Sequence, residues 1–167
     1  METSCTVKSF LLPCRRSSIT LNTFSIIEKI QPLGMIQLAT WIGRRMDVNC
    51  TGAGKALIAF LPEDEFQREI KSKGLAKHNH KSIVSINRLK QEFSRIRELG
   101  YALDDEEDEI GLRCIGAPVF DDSERVVAAI SVSGTTAQIS MDRVQGLART
   151  VKKTAAAISS QLGYGKP

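Results

Sequence analysis

The chain has 167 residues, 42% of them hydrophobic and 25% charged. That balance belongs to a globular domain large enough to bury a core without metal or disulfide support, and it excludes collagen-like, disordered and membrane-embedded classes. The net charge of +4 is mild, and Lys and Arg alternate with Asp and Glu along the chain, so no basic face of the kind that binds nucleic acid is predicted.

The apolar stretches, such as Ala56–Leu61, are far below the roughly 18 residues of a membrane span, so no membrane association is expected. Near the amino terminus, Pro13, Arg15 and Arg16 cut short the apolar run that a secretion signal requires. Cys5, Cys14, Cys50 and Cys114 form no CxxC pair, which indicates neither a zinc framework nor a disulfide scaffold and fits free thiols in the cytoplasm. No metal and no cofactor is expected.

In chain order, residues 1–22 show neither a strand nor a helix period, and a regular domain is expected over 23–167. Phe24 to Lys29 reads as a strand, Pro32-Leu33-Gly34 as a turn, and Met35 to Ile42 as a second strand ending at Gly43-Arg44-Arg45. Gly52-Ala53-Gly54-Lys55 opens a short helix, and Pro62-Glu63-Asp64-Glu65 starts another that Gly74 stops. Ser85 caps a third, with Ile86, Leu89, Phe93 and Ile96 at helical spacing before Gly100. Leu112 to Phe120 and Arg125 to Ser133, joined by Asp121-Asp122-Ser123-Glu124, read as a hairpin. An amphipathic helix from about Asp142 to Leu162 follows, stopped by Gly163. Adjacent strands with a hairpin predict an antiparallel sheet flanked by helices, an α+β fold.

The hairpin carries the most chemistry. With a turn centred on Asp122-Ser123, Cys114 lies opposite Ser131, Gly116 opposite Ala129 and Leu112 opposite Ser133, which puts these six side chains on one face. Arg113, Ile115, Ala117, Val119, Val126, Ala128, Ile130 and Val132 fall on the other, an ordinary core face. The small, weakly polar face leaves room and hydroxyl and thiol groups for a small-ligand pocket, or simply lets a helix pack closely.

Gly52-Ala53-Gly54-Lys55 is not a phosphate loop, because Asn49 and Ala56 stand where the Walker pattern needs Gly and Ser or Thr. It can still present amides to an anion, or be a tight turn into a helix. The acids Asp104 to Glu109 read as a solvated loop, with Asp104 alone able to point inward from the strand Tyr101-Ala102-Leu103. His78 and His80, flanked by lysines, read as a solvent-facing loop rather than a metal pair. With only those two histidines, a Cys-His enzyme has little support.

Ile42-Gly43-Arg44-Arg45, Gly52-Ala53-Gly54-Lys55-Ala56, Gly100-Tyr101-Ala102-Leu103-Asp104-Asp105-Glu106-Glu107, Gly111-Leu112-Arg113-Cys114-Ile115, Ala117-Pro118-Val119-Phe120-Asp121 and Ala128-Ala129-Ile130-Ser131-Val132-Ser133-Gly134 resemble, in order and spacing, the motifs of the effector domain of isocitrate lyase regulator (IclR) transcription factors. The resemblance runs from about Thr23 to Tyr164. It implies a fold similar to GAF sensor domains, no catalysis, and a pocket for a small organic acid or sugar acid. The positions matching the family's ligand-lining pattern are Gly52, Ala53, Asp104, Cys114, Ser131 and Ser133, with an apolar wall near Ile36 and Leu38. It further implies a homodimer or homotetramer, and contact with DNA only through a missing N-terminal winged helix-turn-helix domain. Asp47 and Asn49 depart from the Pro and His usual in the family after the double arginine. The alternative is a stand-alone GAF-like sensor or a small Cys-dependent enzyme using Cys114.

Overall fold

In a computed structural model the chain is described over residues 6–11 (backbone), 23–30 and 38–165. The strands are β1 (Thr6–Leu11), β2 (Thr23–Ile30), β3 (Arg45–Asp47), β4 (Ala102–Asp105), β5 (Leu112–Phe120) and β6 (Val126–Thr135). The helices are α1 (Gly52–Ile58), α2 (Glu63–Lys73), α3 (Ile86–Leu99) and α4 (Met141–Gln161). The strands form one antiparallel sheet in the order β3-β2-β1-β6-β5-β4. The α+β architecture is therefore the one the strand grouping predicts. No helix among the described residues is long and apolar enough to cross a membrane.

Alternation along β5 and β6 divides the interior into two cores, since successive strand side chains point to opposite faces. On one face Ile115, Ala117, Val119, Ile130 and Val132 meet Val144, Ala148, Val151 and Ala155, which recur at steps of three or four along α4 and so form its single buried stripe. The end of α4 is tied to the sheet by the buried Ser159, whose Oγ accepts the Phe120 N–H at 2.9 Å and donates to the Ala155 carbonyl at 2.9 Å. Ser159→Ala leaves the Phe120 amide without that partner and is expected to cost about 1–3 kcal/mol, read as a lower urea midpoint with an unchanged slope.

On the other face α1 lies against β5 and β6, with all seven of its residues buried. Leu89, Phe93 and Ile96 of α3 and Phe66 and Ile70 of α2 complete this core, with Phe66 and Phe93 edge to face at 5.1 Å. The expected caps form: Ser85 accepts from Arg88 N, and Gly100 ends α3 in the left-handed region.

Three expectations are corrected. Thr6–Leu11, which shows no sequence period, is a strand between β2 and β6. It pairs without a break along β6, and the bulge against β2 falls at Ile27 of β2; its residues Thr-Val-Lys-Ser-Phe-Leu simply carry no apolar alternation by which it would be recognised. The boundary placed between residues 22 and 23 thus separates two strands of one sheet. The second predicted strand, Met35 to Ile42, is not formed over Leu38–Ile42, where the chain is a loop. Lys29 Nζ donates to the Leu38 and Thr40 carbonyls at 3.0 and 2.7 Å, using acceptors a strand partner would need, and β3 starts only after Gly43 turns at φ +87°. Residues 32–37 of that strand and its turn lie outside the described residues.

The third correction is the hairpin register. Cys114 pairs with Ser133, Gly116 with Ser131 and Leu112 with Thr135, two positions from the expected pairing. The Asp121 N–H donates to the Arg125 carbonyl at 2.9 Å and Glu124 takes φ +59°, so the loop has one more residue than a two-residue turn. A bulge near Val127 adds another. Two shifts of one preserve parity, and the small-residue face survives from Leu112 to Ser133. Val126, beyond the bulge, changes sides and joins the core under α1.

Candidate functional site

Above the small-residue face the sheet is open to a cleft of about 610 Å³ counting its solvent-facing mouth. Its floor is Cys114 of β5 with Ser131 and Ser133 of β6, because Cys114 pairs with Ser133 and the neighbouring Gly116 with Ser131. Asp104 of β4, paired with Cys114, closes one side. Phe24, Ile26 and Met46 of β2 and β3 form the apolar side, and Leu38 to Thr40 with Arg44 bound the mouth. Thr51 and Ala53 at the start of α1 complete it.

The structure thus brings together Ala53, Asp104, Cys114, Ser131, Ser133 and Leu38 of the sequence-predicted set. Gly52 stands outside the lining and packs on the sheet instead: a Cβ there would sit 2.9 Å from the Cys114 carbonyl oxygen. Ile36 lies outside the described residues. The small residues of this face divide by place. Cys114, Ser131 and Ser133 face the cleft, while Gly116 lets α1 approach, since a Cβ there would lie 2.6 Å from Ala53 N. At the head of α1, Thr51 Oγ1 accepts the Gly54 N–H at 3.1 Å, the tight turn that the glycines permit.

Ser131 is 2% exposed and its hydroxyl has no hydrogen-bond partner among the described residues. A buried hydroxyl left so costs about 1–3 kcal/mol, and here it borders a cleft wide enough for a partner to enter. The acids are less solvated than their run suggests. Asp104 is 4% exposed and accepts the Glu107 N–H at 2.8 Å. Burial pushes its carboxyl up to about 7, with the Lys55 cation opposing and the Glu107 charge adding to the rise.

Glu107, read from sequence as solvated, is buried against Lys55, which has no exposed surface. Burial raises the Glu107 carboxyl and Lys55 counters it. The same ammonium donates to the Leu103 carbonyl at 2.6 Å and lies 3.9 Å from Glu92. Glu106, at φ +66°, pairs with Lys81 at 2.5 Å and accepts the Gly111 N–H at 2.8 Å; Lys81 first, then that amide, holds its carboxyl low. Sequence reasoning missed Lys55 and Glu107. The available signal was a lone cation, Lys55, inside the otherwise small and apolar run Gly52–Ile58.

Asp47 and Asn49 engage the segment after α2. Buried Asn49 donates to the Ala76 and Ile83 carbonyls at 2.8 and 3.0 Å and accepts the Ala76 N–H at 3.2 Å. Asp47 Oδ2 lies 2.9 Å from His78 Nε2, and neither Asp47 nor Asn49 lines the cleft. His78 and His80 are exposed, as expected. Cys50 is buried beside Asn49, its thiol pushed up to about 12 by burial, which leaves it un-nucleophilic.

Comparison with known proteins finds relatives over most of the chain. The family profile described as bacterial transcriptional regulator IclR C-terminal matches residues 14–160. The transcriptional repressor IclR of Escherichia coli K12 is 36% identical over 140 residues, covering 84% of this chain and 50% of that protein. The chain spans about half the length of the curated relatives it matches. The crystal structure of Thermotoga maritima IclR superposes with a TM-score of 0.87 at 31% identity, covering 97% of this chain and 63% of that one. For the C-terminal domain of the E. coli regulator KdgR the TM-score is 0.81 at 31% identity, covering 96% and 88%.

Proposed function

Since the chain belongs to the IclR family of bacterial transcription regulators, matched over their C-terminal domain, we propose that its cleft binds a small carboxylate or sugar-acid effector, and that within a whole regulator this binding modulates the grip of a separate domain on DNA. The observation that carries the reading is the buried, unpartnered Ser131 hydroxyl on the cleft floor. Ser131 and Ser133 donate to the effector carboxylate, the amide at Ala53 completes the anion site, Asp104 accepts from an effector hydroxyl, and Cys114 with Leu38 forms the wall. No catalytic step is assigned to Cys114. To act on DNA, the effector must favour one arrangement of a homodimer or homotetramer over another.

A thermal-shift screen of acetate, glycolate, lactate and gluconate tests this. A specific ligand at about 100 times its dissociation constant adds roughly 2.7 kcal/mol of stability, a clear rise in Tm. Ser133→Ala is expected to weaken the best of these about tenfold, because a hydrogen bond to a charged group contributes about 1.5–3 kcal/mol. Unchanged affinity in both Ser131→Ala and Ser133→Ala places the site elsewhere.

A further inference from the structure

Among the described residues, the acids around Asp104 outnumber the cations that can neutralise them. Facing it are Lys55 from α1, Glu107 and Asp108 from the turn after β4, and Cys114 from β5, with Glu92 of α3 behind them, 3.9 Å from the Lys55 ammonium. Arg44 and Glu109 share the cleft lining. Lys55 is committed to Glu107 and the Leu103 carbonyl. Arg113 is committed to Asp105, at 2.8 and 2.6 Å, and to the Ile139 carbonyl. Arg44 donates to the Ala39 carbonyl and stacks on Trp41, 5.1 Å from the ring centroid. A carboxylate entering beside an ionised Asp104 would put two like charges together out of water, where such pairs do not both stay ionised.

We propose that recognition in this cleft is proton-linked: Lys55 and Glu107, which do not line it, act as a positioning pair that leaves Asp104 to take up a proton from solvent when a monocarboxylate binds. This rests on the effector reading above and adds to it the charge state of the complex. A neutral Asp104 carboxyl donates its O–H to the effector carboxylate while its other oxygen still accepts an effector hydroxyl. The class selected is therefore a singly charged hydroxy acid, which arrives as an anion and is held with one added proton. Because Asp104 is half ionised near pH 7 in the free protein, affinity is expected to fall about tenfold between pH 7 and pH 8.5.

Calorimetry of glycolate, lactate and gluconate binding in phosphate and in Tris at pH 7.5, buffers of small and large ionisation enthalpy, reads the proton count directly. Uptake of about 0.7 proton is expected for the parent chain. It should fall toward zero in Asp104→Asn, which has no proton to gain. It should fall also in Glu107→Gln, which frees the Lys55 charge to hold Asp104 ionised; loss of a merely structural contact would not change a proton count. Carbon-13 NMR of the ligand-free chain supplies an arm that needs no effector, with the Asp104 carboxyl expected to titrate near neutrality and to move down in Glu107→Gln. Binding without uptake, uptake equal in all three chains, or an Asp104 titration in the ordinary carboxylate range overturns the proposal. Failure of every acid to bind overturns the effector reading and the linkage with it, and the NMR titration tells that failure from a misassigned proton.

Discussion

Lys55→Met is expected to cost about 3–5 kcal/mol of folding stability, the range for removing one partner of a buried ion pair. The side chain is 0% exposed and its ammonium engages Glu107 and the Leu103 carbonyl. Met fills a similar length, so the loss lies in polar groups left behind rather than in a cavity. Glu107 becomes a buried carboxylate without its cation, and its Oε2 already has no hydrogen-bond partner. The pH dependence separates this cause from general misfolding. Without Lys55, burial pushes the Glu107 carboxyl further up, so the folded chain holds a proton that the unfolded chain releases as pH rises past the usual carboxylate range. The penalty is then largest at pH 8 and shrinks toward pH 4. The double variant Lys55→Met, Glu107→Leu removes both charges and should recover most of the loss, because the pair's own desolvation cost disappears with it. Urea denaturation at pH 4, 6 and 8 reads all three outcomes; a loss independent of pH would place the cost in packing.

Asp104 follows the same sign. Its folded carboxyl, raised to about 7 from the usual 3.8, binds more protons than the unfolded chain between those values. Stability therefore declines as pH rises through that window and is level above it. That an ionisable group of this kind is held in the cleft wall fits a site tuned for binding, since perturbed carboxyls concentrate where ligands are met.

What the sequence made legible follows from which interactions are local. Helix starts and stops at Ser85, Gly74 and Gly100 are read by the chain's nearest neighbours, and each stands where its residue type predicts. The parity of the hairpin survived a wrong register because the extra loop residue and the bulge each shift it by one. Had only one occurred, Cys114 and Ser133 would have faced opposite sides and the cleft would have been invisible. The ion pair joins Lys55 to a residue 52 positions away, and no local pattern reports such a partner. In the acid run, composition alone suggested solvent, whereas Glu107 is drawn inside by a cation on another element. The mouth of the cleft was misread for a related reason: the loop at Leu38 to Thr40 is held by the Lys29 side chain, which hydropathy alternation does not encode.

Gly116→Val is expected to be the most damaging single change on the sheet, because the position has no room in any direction that a side chain could use. Even a Cβ would meet the Gly52 carbonyl and lie 2.6 Å from Ala53 N, and these are backbone atoms of a buried helix rather than the ends of flexible side chains. Gly52 is as tight in return, its own Cβ position lying 2.9 Å from the Cys114 carbonyl oxygen. The helix must therefore move off β5, and α1 carries both Ala53 of the cleft wall and Lys55 of the buried pair. Overpacking costs about 1–3 kcal/mol where side chains can adjust; with backbone on both sides and the ion pair parted, a loss of about 4 kcal/mol or more is expected, together with loss of effector binding. Gly116→Ala should show the same direction at smaller size. Gly146, on the exposed side of α4 with nothing within 4 Å of its Cβ position, is the control: Gly146→Ala should raise stability by up to about 1 kcal/mol through helix propensity. Urea midpoints for the three variants, with the binding screen repeated on each, decide it. A Gly116→Val chain as stable as the parent would mean that α1 does not seat on β5 as described, and the cleft built between them would have to be redrawn.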